Sequence, residues 1–480
     1  MTPALAHLAD ALSAVLPPRA LVTDPELIAP WLVDWRRRYH GRADLLIEPE
    51  STAQVQMVVR AAAQAGVPLV PQGGNSSMVG GATPPADASA AILSLRRLNR
   101  MRALDADAGL AVAEAGVILA DLHAAALAAG RRFPLTLGAR GSATVGGLVS
   151  TNAGGTQVLR FGTMRGLVAG VEAVLPDGSL HDGLSPLKKD NRGYDLNQLL
   201  IGAEGTLGIV TAAVLRLVPA VAVRAVAWVA LASPDEALAL LRRFQAASEA
   251  VESFELLPRE SLAAVLAYLP DARAPIATDA AWHVLVEVTA DHPADDPAGL
   301  VERILATALD DALIADATIA ASETQADAFW RMRESISDAE RATGPAAQHD
   351  ISVPVDAMPR FMVEAAAACD ARFPGTRASG FGHLGDGNVH FHVRAPRGSD
   401  PADWYAHQVP RVSAFVHDLV VAAGGSISAE HGIGQMKRAE LERLSSPARM
   451  GALRAIKRAL DPQLLFNPGK LVSFDPPVAG

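Results

Sequence analysis

Apolar and polar residues alternate through Asn388-Val389-His390-Phe391-His392-Val393. A period of two predicts a strand with Asn388, His390 and His392 on one face and Val389, Phe391 and Val393 on the other. The Gly385-Asp386-Gly387 turn ahead of it folds His383 back towards the polar face. A different period runs through DLLIEPESTAQVQMVVRAAAQAGVPLVP, which reads as strand, helix, strand. Val55, Val58, Val59 and Ala62 fall at helical spacing, Ser51 or Thr52 can cap the helix, and Gly66 with Pro68 ends it. GTMRGLVAGVEAVLPDGSLHDG predicts paired strands joined at Pro176-Asp177-Gly178. Beyond Pro219 the strands VRAVAWVAL and WHVLVEVTA alternate with the helices PDEALALLRRFQAA and PAGLVERILATAL, predicting helices layered on an antiparallel sheet. FWRMRESISDAERATG reads as one helix whose apolar stripe is Phe329, Met332, Ile336 and Ala339, with Arg333 and Ser337 on its border. From residue 402 the pattern is mostly helical to Leu460.

These changes of pattern predict an α+β protein with boundaries at 1–219, 220–425 and 426–480, and a chain of 480 residues exceeds what one core usually supports. A formal net charge of −10 argues against a nucleic-acid or anionic-membrane partner. The opening MTPALAHLADALSAVL lacks a basic start and holds Asp10, so no targeting segment is read and the cytoplasm is the expected compartment. The longest uncharged run, 141–159, is rich in Gly, Ser, Thr and Asn, which makes it a binding segment rather than a membrane span. Cys369 is the sole cysteine and reads as a small core residue. One thiol makes neither an internal disulfide nor an iron–sulfur cluster, so any electrons must travel on another carrier.

Candidate chemistry gathers in five places. The histidines of HLGDGNVHFH fit either a metal site with neutral imidazole ligands or a wet sheet edge. Glu430 and His431 in SAEHGIG offer one metal ligand and one general base, and with His383 and His390 they would complete a two-His, one-carboxylate shell with open positions. Two glycine-rich tracts, PQGGNSSMVGGATPP and GARGSATVGGLVSTNAGG, are read as loops that open no helix. They either make turns or present backbone N–H groups to a pyrophosphate. Arg333 can grip a carboxylate with its planar fork or simply snorkel from a packed face.

From WRRRYHGRADLLIEP to DPQLLFNPGKLV these motifs resemble the FAD-dependent D-2-hydroxyacid dehydrogenases of the vanillyl-alcohol oxidase superfamily. The resemblance implies a two-subdomain flavin-binding domain in 1–219, an antiparallel-sheet substrate domain in 220–425 and a helical segment, 426–480, that returns to the flavin. It places non-covalent FAD on Pro71, Gln72, Gly73, Gly74, Asn75, Ser76 and Ser77, on Gly138, Ser142, Thr144, Gly146, Gly147, Asn152, Gly154 and Gly155, on Glu204, Gly205, Gly208, Ile209 and Val210 in YDLNQLLIGAEGTLGIVT, and on Asn467, with Lys470 close by. It makes His383, His390 and Glu430 ligands of a divalent ion, zinc by preference, and His431 the base that takes a hydroxyl proton as hydride passes to flavin N5. Arg333 and Ser337 match carboxylate contacts; Gln348 stands where many relatives carry a substrate-binding lysine, and His392 where asparagine is usual. The implied substrate is a small D-2-hydroxy acid, D-2-hydroxyglutarate first, with D-lactate, D-malate or glycolate as alternatives. An external acceptor, such as an electron-transfer flavoprotein or quinone, and a homodimer complete the expectation. The rival reading is a flavin-binding subunit without its own catalysis.

Overall fold

The computed structural model describes residues 1–474. The chain forms two units: Met1–Gly154, Gly162–Pro219 and Glu430–Gly480 make the first, and Gly155–Phe161 with Ala220–Ala429 the second. The seven residues around Leu159 therefore belong to the second unit, an excursion that the sequence pattern does not mark.

In the first unit one sheet has the order β1-β2-β4-β3, from β1 (Leu21–Val22), β2 (Leu46–Ile47), β3 (Leu69–Gln72) and β4 (Ala91–Ser94), with β4 parallel to both β2 and β3. Between β2 and β3 lies helix α1 (Thr52–Ala65). Ser51 caps it by accepting from the Gln54 N–H, Gly66 ends it in the left-handed region at φ 63°, and Val55, Val58, Val59 and Ala62 are buried. A second sheet runs β5-β6-β9-β7-β8, from β5 (Met101–Asp105), β6 (Leu110–Glu114), β7 (Val168–Val174), β8 (Leu180–Asp182) and β9 (Ile209–Arg216). β7 and β8 pair antiparallel around the predicted turn, where Gly178 takes φ 77°. Leu465 and Phe466 enter the same core as α1, and Phe466 bridges Leu69 in parallel. One expectation is overturned: the second glycine tract does open a helix, α2 (Val145–Thr151). Gly146 leaves no room for a side chain, since an added Cβ would lie 2.7 Å from the Ala115 Cβ, so the helix seats on its neighbour through glycine and shows no apolar period.

The second unit is a seven-stranded sheet of order β13-β10-β12-β11-β15-β16-β14. Its strands are β10 (Val223–Leu231), β11 (Val251–Pro258), β12 (Trp282–Ala290), β13 (Asp316–Ile319), β14 (Ala346–Ser352), β15 (Arg377–His383) and β16 (Asn388–Arg394), all antiparallel to their neighbours. One face carries Ala227, Val229, Val286, Val389, Phe391 and Val393 into a core shared with Leu240 and Phe244 of helix α3 (Pro234–Ala247), with Val301 and Leu305 of α5 (Pro297–Asp310) and with Phe361 and Cys369 of α8 (Met358–Arg372). Burial pushes the Cys369 thiol up to about 12, as suits a packed, inert side chain. Over the other face lie α4 (Arg259–Tyr268), α6 (Glu323–Glu334) and α7 (Ile336–Ala342), which pack Phe329, Met332, Ile336 and Ala339 with Trp228 and Phe381. The stripe is as the sequence predicts, but the single helix expected there is two, divided at Ser335.

Candidate active site

Three segments converge within the first unit. An added Cβ on Gly73 would lie 2.2 Å from Thr144 Oγ1, one on Gly74 1.7 Å from the Ser142 carbonyl oxygen, and one on Gly205 2.5 Å from Pro71 Cγ. Glycine is what permits these approaches. Asn75 and Glu204 hold left-handed backbone at φ 52° and 53°, and Asn467 at 44°. The Asn467 amide donates to the carbonyls of Gly81 (2.9 Å) and Glu204 (2.7 Å), tying the C-terminal segment to the first glycine loop. Four buried side-chain atoms here have no partner: Gln72 Oε1, Asn75 Oδ1, Thr144 Oγ1 and Asn467 Oδ1. Buried polar atoms left open in one place need a polar ligand to satisfy them, and a flavin nucleotide, with its ring amides, hydroxyls and phosphates, fits that need.

Glu204 also braces the stretch that carries His431. Its carboxylate accepts the N–H groups of Ile433 and Gly434, both at 2.7 Å, and Gly432 turns above it at φ 80°. Burial raises the Glu204 pKa, against the pull of those two N–H groups and of Lys437 and Lys470. Lys470 is itself buried, and burial first, with Arg438, brings its ammonium down to about 8. Ile209 and Val210 start β9 inside the core, Asn152 accepts the Arg165 N–H, and Gly155 falls in the second unit.

In the second unit the register lines up the polar face of the sheet. His383 stands opposite Asn388 and Glu255, His390 opposite Phe381 and Asp350, and His392 opposite Ser379 and Gln348. The His383 and His390 ring centroids are 5.6 Å apart, near perpendicular. His383 Nδ1 hydrogen-bonds Glu255 Oε1 at 2.6 Å, the arrangement in which the other ring nitrogen would serve as a metal ligand. Glu255 is wholly buried and its Oε2 accepts from Arg333 Nε at 2.7 Å. Burial alone would raise its pKa, but the Arg333 and His383 charges outweigh that and hold the carboxyl below the ordinary range. Arg333 Nη2 lies 2.7 Å from the same oxygen yet off the line of a hydrogen bond, so its N–H groups are unsatisfied. His392 Nδ1 makes a short hydrogen bond to Glu340, which also accepts from Ser261 Oγ at 2.7 Å and pairs with Arg394.

His383, His390 and Glu430 form a group in which one ligand atom from each lies within 4.8 Å of the others. Two imidazoles and a carboxylate form a donor set that suits a divalent ion such as zinc. Gln348 is half-buried, while Ser337 is exposed and Arg333 buried, so the helix break at Ser335 separates two residues that the sequence places on one border. Glu255 and Glu340 escape the sequence reading. The available signal is a carboxylate inside a run of buried apolar strand residues, as in VESFELLP.

Residues 43–183 match the FAD binding domain and residues 221–471 the C-terminal domain of FAD linked oxidases. The chain belongs to this family of FAD-linked oxidases, an oxidoreductase class. Among its relatives it is 34% identical to the mitochondrial D-2-hydroxyglutarate dehydrogenase of Arabidopsis thaliana, over 95% of this chain and 80% of that one. It is 36% identical to the D-2-hydroxyglutarate dehydrogenase of Xanthomonas citri pv. viticola, over 96% of each. Of solved structures, alkyldihydroxyacetonephosphate synthase (17% identity, TM-score 0.72, covering 98% of this chain and 85% of that one) shares the fold. So does p-cresol methylhydroxylase (14% identity, TM-score 0.72, covering 98% and 97%). Among the described residues no helix is long and apolar enough to cross a membrane.

Proposed function

We propose that this protein oxidises a D-2-hydroxy acid, D-2-hydroxyglutarate foremost, to the 2-oxo acid. The observation that carries the reading is the His383, His390 and Glu430 donor set, with His383 oriented by a buried carboxylate and a general-base candidate next in sequence. The flavin, when bound, supplies at N5 the acceptor for a hydride from C2. The divalent ion supplies a Lewis acid for the hydroxyl and the neighbouring carboxylate oxygen. The chain's own residues do the rest. His431 takes the hydroxyl proton, because neutral imidazole is a competent base near pH 7. Glu204 fixes the turn that carries it. Arg333, with its Nη2 unsatisfied, contacts substrate carboxylate, and Gln348 and His392 face the rest of the molecule. One proton and one hydride leave the substrate, and an external carrier such as an electron-transfer flavoprotein or quinone would take up the two electrons. We also propose non-covalent FAD, a homodimer and a cytoplasmic setting. Anaerobic addition of D-2-hydroxyglutarate, D-malate, D-lactate and glycolate to the yellow holoprotein tests the reaction. Bleaching with D-2-hydroxyglutarate is expected; an unbleached flavin with all four acids points to a flavin-binding subunit without catalysis.

A further inference from the structure

Lys470 is 4% exposed, yet among the described residues its ammonium makes one hydrogen bond, a long one of 3.5 Å to the Pro468 carbonyl. A buried cation with three N–H donors calls for acceptors. Its backbone is held on every side: Leu471 donates to the Gly434 carbonyl at 3.0 Å, the Lys470 carbonyl accepts from Val472 at 2.7 Å, and the Gly469 carbonyl accepts from Arg438 at 3.0 Å. Asn467 and Leu471 flank it with left-handed backbone at φ 44° and 60°, a strain that persists in non-glycine residues only where the surroundings impose it. Glu204 attracts the Lys470 charge, but its carboxylate oxygens already accept the Ile433 and Gly434 N–H groups. Burial and Arg438 leave Lys470 at about 8, so it is an ammonium at pH 7.

Asn467 sits on the same short loop and also adjoins Glu204. Its amide nitrogen donates to the Gly81 and Glu204 carbonyls, which fixes the amide and leaves the buried Oδ1 as an acceptor without a donor. One loop thus presents an acceptor that needs an N–H and a cation that needs acceptors. The pyrimidine edge of an isoalloxazine ring is the complement, an N3–H between two carbonyls. Phosphates have no donor for Asn467, and ribityl hydroxyls have no charge for Lys470 to balance. We infer that Lys470 sets its ammonium against N1 and the C2 carbonyl of the flavin ring, with Asn467 Oδ1 taking the N3–H, and that it thereby favours the reduced flavin. A hydride delivered to N5 leaves net negative charge on N1 and the C2 carbonyl, which the ammonium balances inside a buried site. The inference rests on a bound flavin and not on which acid is oxidised, because dithionite reduces the ring without substrate.

The test is the two-electron midpoint potential of the flavin in the holoprotein and in Lys470→Met and Lys470→Arg, by dithionite titration against a reference dye. The dissociation constant of oxidised FAD is measured alongside. Lys470→Met should lose about thirtyfold in its preference for the reduced ring, the middle of the range for a hydrogen bond to a charged group. At about 30 mV per decade for two electrons, that factor lowers the potential by about 45 mV. Lys470→Arg should recover part of the shift. An unchanged potential in Lys470→Met overturns the inference, and weaker FAD binding with an unchanged potential does so by placing the charge on the phosphates. Should Lys470→Met fail to hold FAD, Lys470→Gln is compared with Lys470→Arg: a lower potential in the glutamine variant upholds the inference, and equal potentials remove it. A wild type that binds no flavin removes the flavin reading itself, and this inference with it.

Discussion

Replacing Glu255 by glutamine should damage this protein in two separable ways. The carboxylate is fully buried, bonded through Oε2 to Arg333 and through Oε1 to His383. Glutamine keeps the shape but carries one acceptor where two donors converge, and leaves the Arg333 charge buried without a counter-charge. Breaking a buried ion pair by removing one partner costs about 3–5 kcal/mol. Loss of the partner that orients a metal-ligating histidine weakens metal binding by about 10–100-fold. Urea denaturation followed by tryptophan fluorescence reads the first effect, and zinc titration against a chromophoric chelator reads the second. The double variant Glu255→Leu/Arg333→Met separates them. Removing both charges should return much of the stability, because apolar residues often replace a buried pair without loss, while zinc affinity stays low. A Glu255→Gln protein as stable as wild type with undiminished zinc affinity would refute the reasoning, as would a double variant that regains zinc affinity.

Glu287, buried beside Glu252, has its pKa raised from 4.5 to about 7, first by burial and then by that neighbouring carboxylate. An acid that holds its proton more tightly when folded stabilises the fold below its unfolded pKa and loses that contribution as pH rises through the folded value. Wild type should therefore lose up to about 3 kcal/mol between pH 4.5 and 7 relative to Glu287→Gln, measured as the difference between their denaturation curves across pH. His383→Ala, His390→Ala and Glu430→Ala should each abolish activity and bound divalent metal, seen by elemental analysis, while the flavin absorbance is retained. Gln348→Lys should tighten D-2-hydroxyglutarate about tenfold in KM with a smaller effect on kcat, a gain of about 1.4 kcal/mol from replacing a neutral hydrogen bond by a charged one.

What could be read in the sequence was what local chemistry decides. Ser51 and Gly66 bracket α1 because a side-chain acceptor and a left-handed glycine are nearest-neighbour effects. The two faces of β16 followed from alternation alone, and Val389, Phe391 and Val393 are fully buried as that pattern requires. Helix α2 was hidden because its packing depends on missing side chains, which leave no hydrophobic trace. Glu255 and Glu340 were hidden for a different reason. Each partners a histidine remote in sequence, Glu255 across a strand pair and Glu340 from helix α7 onto the sheet, and no local spacing records such pairings. The seven-residue excursion into the second unit is held by Ser253 donating to the Thr156 carbonyl and by Arg160 donating to Thr289, contacts between segments remote in sequence.

The strand pairing of Leu69 with the segment around Phe466 has a consequence for synthesis. Leu69 donates its N–H to the Leu465 carbonyl and accepts from the Asn467 N–H, both at 2.8 Å, so β3 keeps an open edge until the last part of the chain arrives. On a ribosome moving at about 5–20 residues per second, the final stretch of roughly fifty residues takes several seconds to appear, after the whole second unit has been made. Throughout that interval the nascent first unit presents unpaired β3 backbone and an unfilled place for Phe466, the kind of edge that other chains can pair with. The order of events is thus written into the topology: the middle of the polypeptide can fold while its two ends wait for each other. A ribosome stalled before residue 465 would display a trapped, adhesive half-product instead of a shorter but functional one.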